Sequence, residues 1–262
     1  MGQAKLDEVL PSAPSPANWH ERFKLQAAWT EQARRYLLGR MALRPGERVL
    51  EVGCGTGAIT SWLYEEPLIR MFGIDLKLDY LRLARGHDRR TRFAAANALQ
   101  LPFPADRFAA VVCHFFLLWV PQPAEALAEM VRAARPGGWV AAFAEPDYGG
   151  RIDYPAELAE LGGLQTAALL AQGADPLMGR KLAGLFRSAG LLDVETGLLG
   201  GQWHGAPPAR QWESEWSTLE ADLSGTVPPS RLAQYRQIDA AAWQSGERVL
   251  FVPTFYALGR KP

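Results

Sequence analysis

From Arg48 onward, short apolar runs alternate with stretches in which apolar residues recur every three or four positions. RVLEV precedes a helix beginning at Gly57, and RMFGID precedes a helix over residues 78–85. TRFAAA and FAAVVC lead to a helix over 124–134 and the run GGWVAAFAE. Continuous apolar runs of this length suit strands buried on both faces, and the helices between them supply crossovers. The pattern therefore predicts βαβ units and a mostly parallel, doubly wound sheet. Ahead of it, residues 1–17 are rich in Pro, Ser and Ala and read as loose, while 19–41 carry one helical pattern with Phe23, Trp29, Tyr36 and Leu37 as apolar contacts. Behind it, DPLMGRKLAGLFRSAG reads as a helix with Asp175 as N-cap, Pro176 in the first turn and Gly190 as the stop, followed by a strand in LLDVETGLL. Residues 207–246 hold two helical patterns, one striped by Trp212, Trp216, Leu219 and Leu223, the other by Leu232, Tyr235, Ile238 and Ala242. RVLFVPTFYALGRK closes the chain as a strand.

Charge and composition remove several classes of function. Lysine plus arginine equals aspartate plus glutamate at 28 each, so no global field steers the chain of 262 residues towards nucleic acid or an anionic membrane. The nearly charge-free stretch over residues 108–120 is too short to cross a bilayer, and the N-terminal residues lack the apolar core of a signal peptide. A cytoplasmic protein is expected. Cys54 and Cys113 read as reduced thiols in the core, and His20, His87, His114 and His204 show no metal-ligand spacing.

The stretch VLEVGCGTG, residues 49–57, carries the candidate chemistry. Glycines at 53, 55 and 57 between a strand and a helix let the backbone turn sharply and aim N–H groups at a ligand. Gly53, Gly55 and Ala58 also satisfy the dinucleotide fingerprint, with Asp75 placed to grip ribose hydroxyls, so the loop alone leaves a nicotinamide cofactor open. Glu51 changes the balance. A pyrophosphate beside this carboxylate would be repelled by about 1–4 kcal/mol at about 4 Å, whereas a ligand carrying an ammonium group would be attracted. S-adenosylmethionine, with its adenosine, sulfonium and amino-acid end, is such a ligand.

These residues resemble the class I S-adenosylmethionine-dependent methyltransferases, and the likeness runs in order through about residues 45–200. VLEVGCGTG resembles the first family motif, FGIDLKLDYLRLAR the second strand and helix, NALQLPFPADRFAAVVCHFFLLWV the third and fourth strand region, RAARPGGWVAAFAEPD the fifth strand unit, and DPLMGRKLAGLFRSAGLLDVE the sixth. The fold implied is a seven-stranded sheet with an antiparallel last strand. Asn97 stands where the family often has Asp, and Ala109 where it commonly has an acid.

The resemblance implies roles. Glu51 orients the cofactor's amino group, Gly53, Gly55 and Gly57 admit its methionine part, and Asp75 takes the ribose. Leu76, Asn97 and Ala98 surround the adenine, and the backbone at Cys113 and His114 faces the methyl end. Trp29 and Thr30 of the N-terminal helix are expected over the cofactor. EPDYGGRIDYP, residues 145–155, leaves the fifth strand on the ligand side of the sheet and supplies the expected rim of the acceptor pocket. His114, Asp147 and Tyr148 are the candidate catalytic groups, and Tyr148, Arg151, Tyr154, Trp203 and His204 the candidate substrate contacts. The bland readings are that Asp75 caps a helix, that His114 packs, and that each polar loop residue only holds its own loop. The division expected is 1–17 loose, 18–44 a helical cap, 45–204 the cofactor-binding domain, 205–246 a helical lid and 247–262 the final strand. The leading function is methyl transfer to a small-molecule acceptor, without nucleic acid, membrane or metal. A cofactor-binding protein without methyl transfer and a nicotinamide-dependent oxidoreductase are the alternatives.

Overall fold

The structure, a computed structural model, describes residues 15–60, 63, 69–198 and 205–262. Seven strands form one sheet in the order β3-β2-β1-β4-β5-β9-β7. They are β1 (Arg48–Val52), β2 (Arg70–Asp75), β3 (Arg92–Ala95), β4 (Phe108–Cys113), β5 (Ala134–Pro146), β7 (Leu192–Leu198) and β9 (Thr254–Arg260). The pairs among β1 to β5 are parallel, and β9 runs antiparallel to both β5 and β7. This is the doubly wound sheet that the alternating pattern predicts.

Strand alternation decides which side chains reach which helical layer, because successive residues point to opposite faces. Val49, Met71, Ala110, Val112, Ala141 and Phe143 pack towards α2 (Glu31–Met41) with its Leu37, Leu38 and Met41. Leu50, Val52, Ile74, Val111, Cys113 and Val140 pack on the other face, under α4 (Pro123–Ala133) and α6 (Met178–Ser188). Phe143 is fully buried, and its truncation to Ala would cost about 3–5 kcal/mol. The same parity carries Glu51 to the face of Val49, and His114 to the face of Val112. Both therefore extend the layer that α2 covers.

Several local expectations change. The pattern over 19–41 forms two helices, α1 (Pro16–Trp29) and α2, broken at Thr30, where φ is −105° and ψ 10°. The Thr30 hydroxyl turns back on the Gln26 and Ala27 carbonyls at 3.3 Å each, a local bond that competes with continued helix. The helix expected from Gly57 lies mostly outside the described residues; Ala58–Thr60 form turns, and Leu63 N donates to Ile59 O. The helix expected over 124–134 ends at Ala133, and β5 starts at Ala134 with a register shift against β4. Asp175 is not the N-cap of α6: its carboxylate accepts from Leu177 N at 3.1 Å, so the turn precedes the helix and Leu177 takes the cap position.

The closing strand divides in two. Val252 and Pro253 separate β8 (Val249–Phe251) from β9, and β8 pairs with β6 (Ile152–Tyr154) in a separate two-stranded sheet. That small sheet joins α5 (Ala159–Ala171), α7 (Ala209–Leu223) and α8 (Pro229–Ser245), whose Leu161, Trp216, Leu219, Leu223, Leu232 and Tyr235 make their own core. Among the described residues α3 (Leu78–His87) completes the helices.

Candidate functional site

Strand order reverses between β1 and β4, which are neighbours although β2 and β3 intervene in the chain. Such a switch point opens a crevice beyond the carboxyl ends of the strands. Val52 is in register with Cys113, so the loops after β1 and β4 leave the sheet side by side. The chain turns out of β1 through Gly53 and Gly55 at φ of 72° and 52°. A side chain at Gly53 would be driven into the Phe116 ring, and one at Gly55 would meet the Phe23 ring of α1 at 3.3 Å. Glycine is required here by both backbone conformation and space.

Two acids bracket this loop. Glu51 is buried, and Thr60 Oγ1 donates to it at 2.5 Å. Burial pushes its carboxyl up to about 8, while Thr60 and the Arg34 guanidinium oppose the rise. Asp75, half-buried at the end of β2, accepts from Gly55 N at 2.9 Å through one oxygen and from Lys77 N at 2.8 Å through the other. Each oxygen keeps accepting capacity, since a carboxylate offers about four lone-pair sites. Next to them, Leu76 is 70% exposed at the rim. Asn97 is exposed with its Oδ1 accepting from Leu99 N at 3.0 Å, and Ala98 is buried beneath it. The glycine loop, both acids and the Leu76 and Asn97 turns thus share one edge of the sheet.

On the β4 side, Cys113 points its thiol into the core and is fully buried, leaving only its backbone at the crevice. Burial raises that thiol further above its ordinary range. His114 Nε2 lies 2.7 Å from Thr30 Oγ1, and Arg34 Nη1 donates to the same hydroxyl at 2.6 Å and to Ala27 O. Burial, with the Arg34 charge beside it, holds the imidazole well below its ordinary value and therefore neutral. Burial also lowers Arg34, to about 10. Thr30 is placed against His114, whereas Trp29 is 50% exposed.

The segment after β5 is divided among different tasks. Glu145 is fully buried and accepts from Phe116 N (2.9 Å), Leu117 N (2.8 Å) and Leu118 N (3.2 Å), fixing the turn that carries Phe116. Its place at the pocket rim is thereby corrected to a support beneath the β4 loop. Asp147 takes a two-pronged ion pair from Arg180, at 2.5 and 2.7 Å, which engages both carboxylate oxygens. Arg151 donates to Asp153 at 2.5 Å and to Gln165, and Asp153 also pairs with Arg248 at 2.8 Å. Arg248 pairs with Asp239 at 2.5 Å, and Asp239 receives the Trp212 and Trp216 indole N–H groups at 2.6 and 2.9 Å. Arg151 is thus engaged in a buried chain of charges, and Tyr154, 51% exposed on β6, stands on the surface. Tyr148 is half-buried with burial raising its phenol, under the influence of Arg22, Arg151, Glu215 and Asp222. Trp203 and His204 lie outside the described residues.

Sequence reasoning expected the N-terminal helix over the cofactor through Trp29 and Thr30 but missed the residues by which it touches the glycine loop. α1 crosses the glycine loop: His20 Nδ1 is 2.9 Å from Thr56 Oγ1, His20 stacks on His87 of α3 at 4.7 Å, and Phe23 meets Tyr80 edge-on at 5.9 Å. It also missed Arg34 and Phe116, whose roles depend on neighbours distant in the chain. Only the polar Arg34 on an otherwise inward helix face gave any signal. Among the described residues no cluster of His, Cys, Asp or Glu could hold a metal ion, and no helix is long and apolar enough to cross a membrane.

A protein-family profile described as a methyltransferase domain matches residues 50–142, the span from β1 through β5. The chain is 35% identical over 127 residues to the demethylmenaquinone methyltransferase of Renibacterium salmoninarum, covering 48% of this chain and 53% of that protein. It is 30% identical over 201 residues to the demethylmenaquinone methyltransferase of Geobacillus kaustophilus, covering 66% of this chain and 81% of that one. The chain spans about half the length of the first curated relatives it matches. Among solved structures, the partner of the Trm112 methyltransferase activator in a Haloferax volcanii complex superposes with a TM-score of 0.61 at 20% identity, covering 94% of this chain and 95% of that one, a likeness of fold.

Proposed function

Because the chain belongs to the methyltransferase family, we propose that it binds S-adenosylmethionine at the β1/β4 crevice and moves the methyl group to a small-molecule acceptor. The observation that carries the reading is Glu51. A carboxyl group buried beside a glycine loop, and held protonated up to about 8 by that burial, ionises when a ligand brings an ammonium group to it, whereas phosphates would only hold its proton more firmly. The other residues fit the same cofactor. Gly53 and Gly55 leave room for close approach of a ligand to the backbone, and Asp75 retains acceptor capacity for two ribose hydroxyls. Leu76 and Asn97 stand at the rim where an adenine would lie.

When bound, the cofactor supplies an already activated methyl on its sulfonium. The protein's own work is then placement and shielding, which can lower a barrier by up to ~7–11 kcal/mol. α1 closes over the glycine loop and excludes water, and neutral His114, held by Thr30, offers a nitrogen lone pair or an N–H at the crevice rather than a second positive charge. Asp147, already paired with Arg180, is better suited to hold the post-β5 turn than to take a proton. The same reading makes this a cytoplasmic enzyme with Cys54 and Cys113 as buried free thiols.

Titration calorimetry with S-adenosylmethionine, S-adenosylhomocysteine and NAD tests the reading, followed by a search of metabolite extracts for labelled methyl transfer. Binding of the first two is expected. Asp75→Ala should weaken it roughly ten- to hundredfold, since a charge-assisted hydrogen bond contributes about 1.5–3 kcal/mol. Tight NAD binding without S-adenosylmethionine binding would overturn the assignment.

A further inference from the structure

The Thr30 hydroxyl, at the joint between α1 and α2, has more neighbours than it can serve. A hydroxyl gives one proton and receives through two lone pairs. Arg34 takes one of those lone pairs. Its guanidinium can only donate, so the 2.6 Å bond from Nη1 runs towards Thr30 Oγ1, and Nη1 also donates to Ala27 O. Arg34 is buried on α2, and its two acceptors lie one and two turns back along the chain.

The direction of the next contact follows from the proton that is left. His114 Nε2 lies 2.7 Å from Thr30 Oγ1. If Nε2 donated, Thr30 would accept twice, and its own proton could go only to the Gln26 or Ala27 carbonyl, each at 3.3 Å. Hydroxyl donors bond at about 2.5–3.0 Å, so either carbonyl would be a poor partner. Ala27 O is in addition already receiving Arg34 Nη1 and, at 3.3 Å, Thr30 N. If Thr30 donates instead, its proton reaches Nε2 at 2.7 Å, an ordinary length for a hydroxyl donor, and the bond arriving from Arg34 strengthens it. The second arrangement uses every group; the first leaves a hydroxyl proton without a good acceptor.

Burial and the Arg34 charge keep the imidazole neutral, so it carries a single proton. Acceptance at Nε2 places that proton on Nδ1. Among the described residues Nδ1 has no hydrogen-bond partner and is not closed off from solvent. His114 directly follows Cys113, the β4 residue in register with Val52, so its ring stands where the β1 and β4 loops leave the sheet.

We infer that Thr30 and Arg34 are positioning residues that fix the proton of His114 on Nδ1, so that His114 meets the bound reactants as a hydrogen-bond donor. It holds a lone-pair atom in the crevice. It does not take the proton that an O or N acceptor sheds on methylation, because its one accepting nitrogen is occupied by Thr30. This narrows what His114 offers to the N–H, deepens the methyltransferase reading and rests on it.

Two-bond proton–nitrogen correlation spectra of the full chain, labelled with 15N in its histidine rings, distinguish a protonated from an unprotonated ring nitrogen, and His114→Asn identifies the signals. At pH 7 the wild-type protein should favour Nδ1–H over Nε2–H by roughly tenfold or more. Thr30→Val keeps the side-chain shape without the hydroxyl and should let Nε2–H appear, whereas Thr30→Ser should keep Nδ1–H. Arg34→Met should weaken the preference, because Thr30 then has both lone pairs open to an Nε2–H. Adding S-adenosylhomocysteine should move the Nδ1 signal more than the Nε2 signal. Nε2–H in the wild type, or an Nδ1–H preference that survives in Thr30→Val, would overturn the inference, and the wild-type spectrum alone decides it if a variant does not fold. An Nδ1 signal unmoved by bound S-adenosylhomocysteine would overturn the placement of that N–H against the reactants. Failure of S-adenosylhomocysteine to bind in calorimetry would instead overturn the methyltransferase assignment, with the position of the proton still read from the ligand-free protein.

Discussion

At the scale of single residues, Glu51 makes the sharpest demand on experiment. Its carboxyl rises from an ordinary 4.5 to about 8 in the fold because burial penalises the charge. A folded-state value above the unfolded one means that the folded chain holds a proton which the unfolded chain has released. The stability contributed by this group is therefore complete below about pH 4.5 and is lost as pH rises through about 8. Glu51→Gln should flatten the thermal-stability profile of the ligand-free protein across that window; an unchanged profile would remove Glu51 as its source. Cofactor binding adds a second readout. An ammonium beside Glu51 favours the carboxylate, so binding S-adenosylhomocysteine at pH 7 should release roughly one proton per site. Calorimetry in buffers of different ionisation enthalpy measures this release, which should vanish in Glu51→Gln. The sequence made Glu51 legible by its distance from Gly53, but its burial under α2 and the bond from Thr60 arise only when the sheet and helix meet.

Among the elements, α8 is held to the small β6–β8 sheet by charge as much as by apolar packing. Arg151, Asp153, Arg248 and Asp239 form a continuous buried chain, with side-chain exposures of 7%, 2%, 2% and 6%, and the two indole N–H groups complete the acceptors of Asp239. Removing one member leaves its neighbours charged and unpaired, a loss of about 3–5 kcal/mol. Arg248→Met should lower the unfolding free energy measured in urea by that order, and a change under about 1 kcal/mol would show that the chain of charges adds little net stability. None of this was readable from sequence, because β6 and β8 are three-residue strands that pair across about 95 residues of chain. α5 escaped notice for a different reason: AELGGLQTAALLA is apolar nearly all round and contains two glycines, so it shows no stripe and no clear start. The parallel strands were legible because burial on both faces writes itself as an unbroken apolar run. The break at Thr30 was not, since the helical period continues across it and only the hydroxyl's return to the Gln26 and Ala27 carbonyls marks the joint.

For the molecule as a whole, the placement of α1 decides how anything reaches the crevice. Its inner side touches the glycine loop through His20 and Phe23, and Arg22 and Glu21 tie it to α7 through Thr218 and Arg210. The Glu21–Arg210 pair is exposed and adds little stability, and among the residues of α1 Ala27 alone is buried. By contrast, α2 is anchored: Leu37, Leu38 and Met41 are buried, and Tyr36 and Arg40 hold Glu195 of β7 at 2.5 and 3.0 Å. The joint at Thr30 therefore separates a fixed helix from a weakly held one. A segment held by few buried contacts opens at low free energy, so the expected path for cofactor and acceptor is α1 swinging about Thr30 while α2 stays in place. Hydrogen exchange read by mass spectrometry distinguishes the two helices. Without ligand, amides of α1 should exchange well before those of α2, and S-adenosylhomocysteine should slow α1 by at least tenfold while leaving α2 nearly unchanged. His20→Ala, which removes the contact with Thr56, should speed α1 exchange and raise the off-rate of S-adenosylhomocysteine together. Equal protection of α1 and α2 in the ligand-free protein would mean that α1 is part of the rigid frame and that entry lies elsewhere along the strand ends.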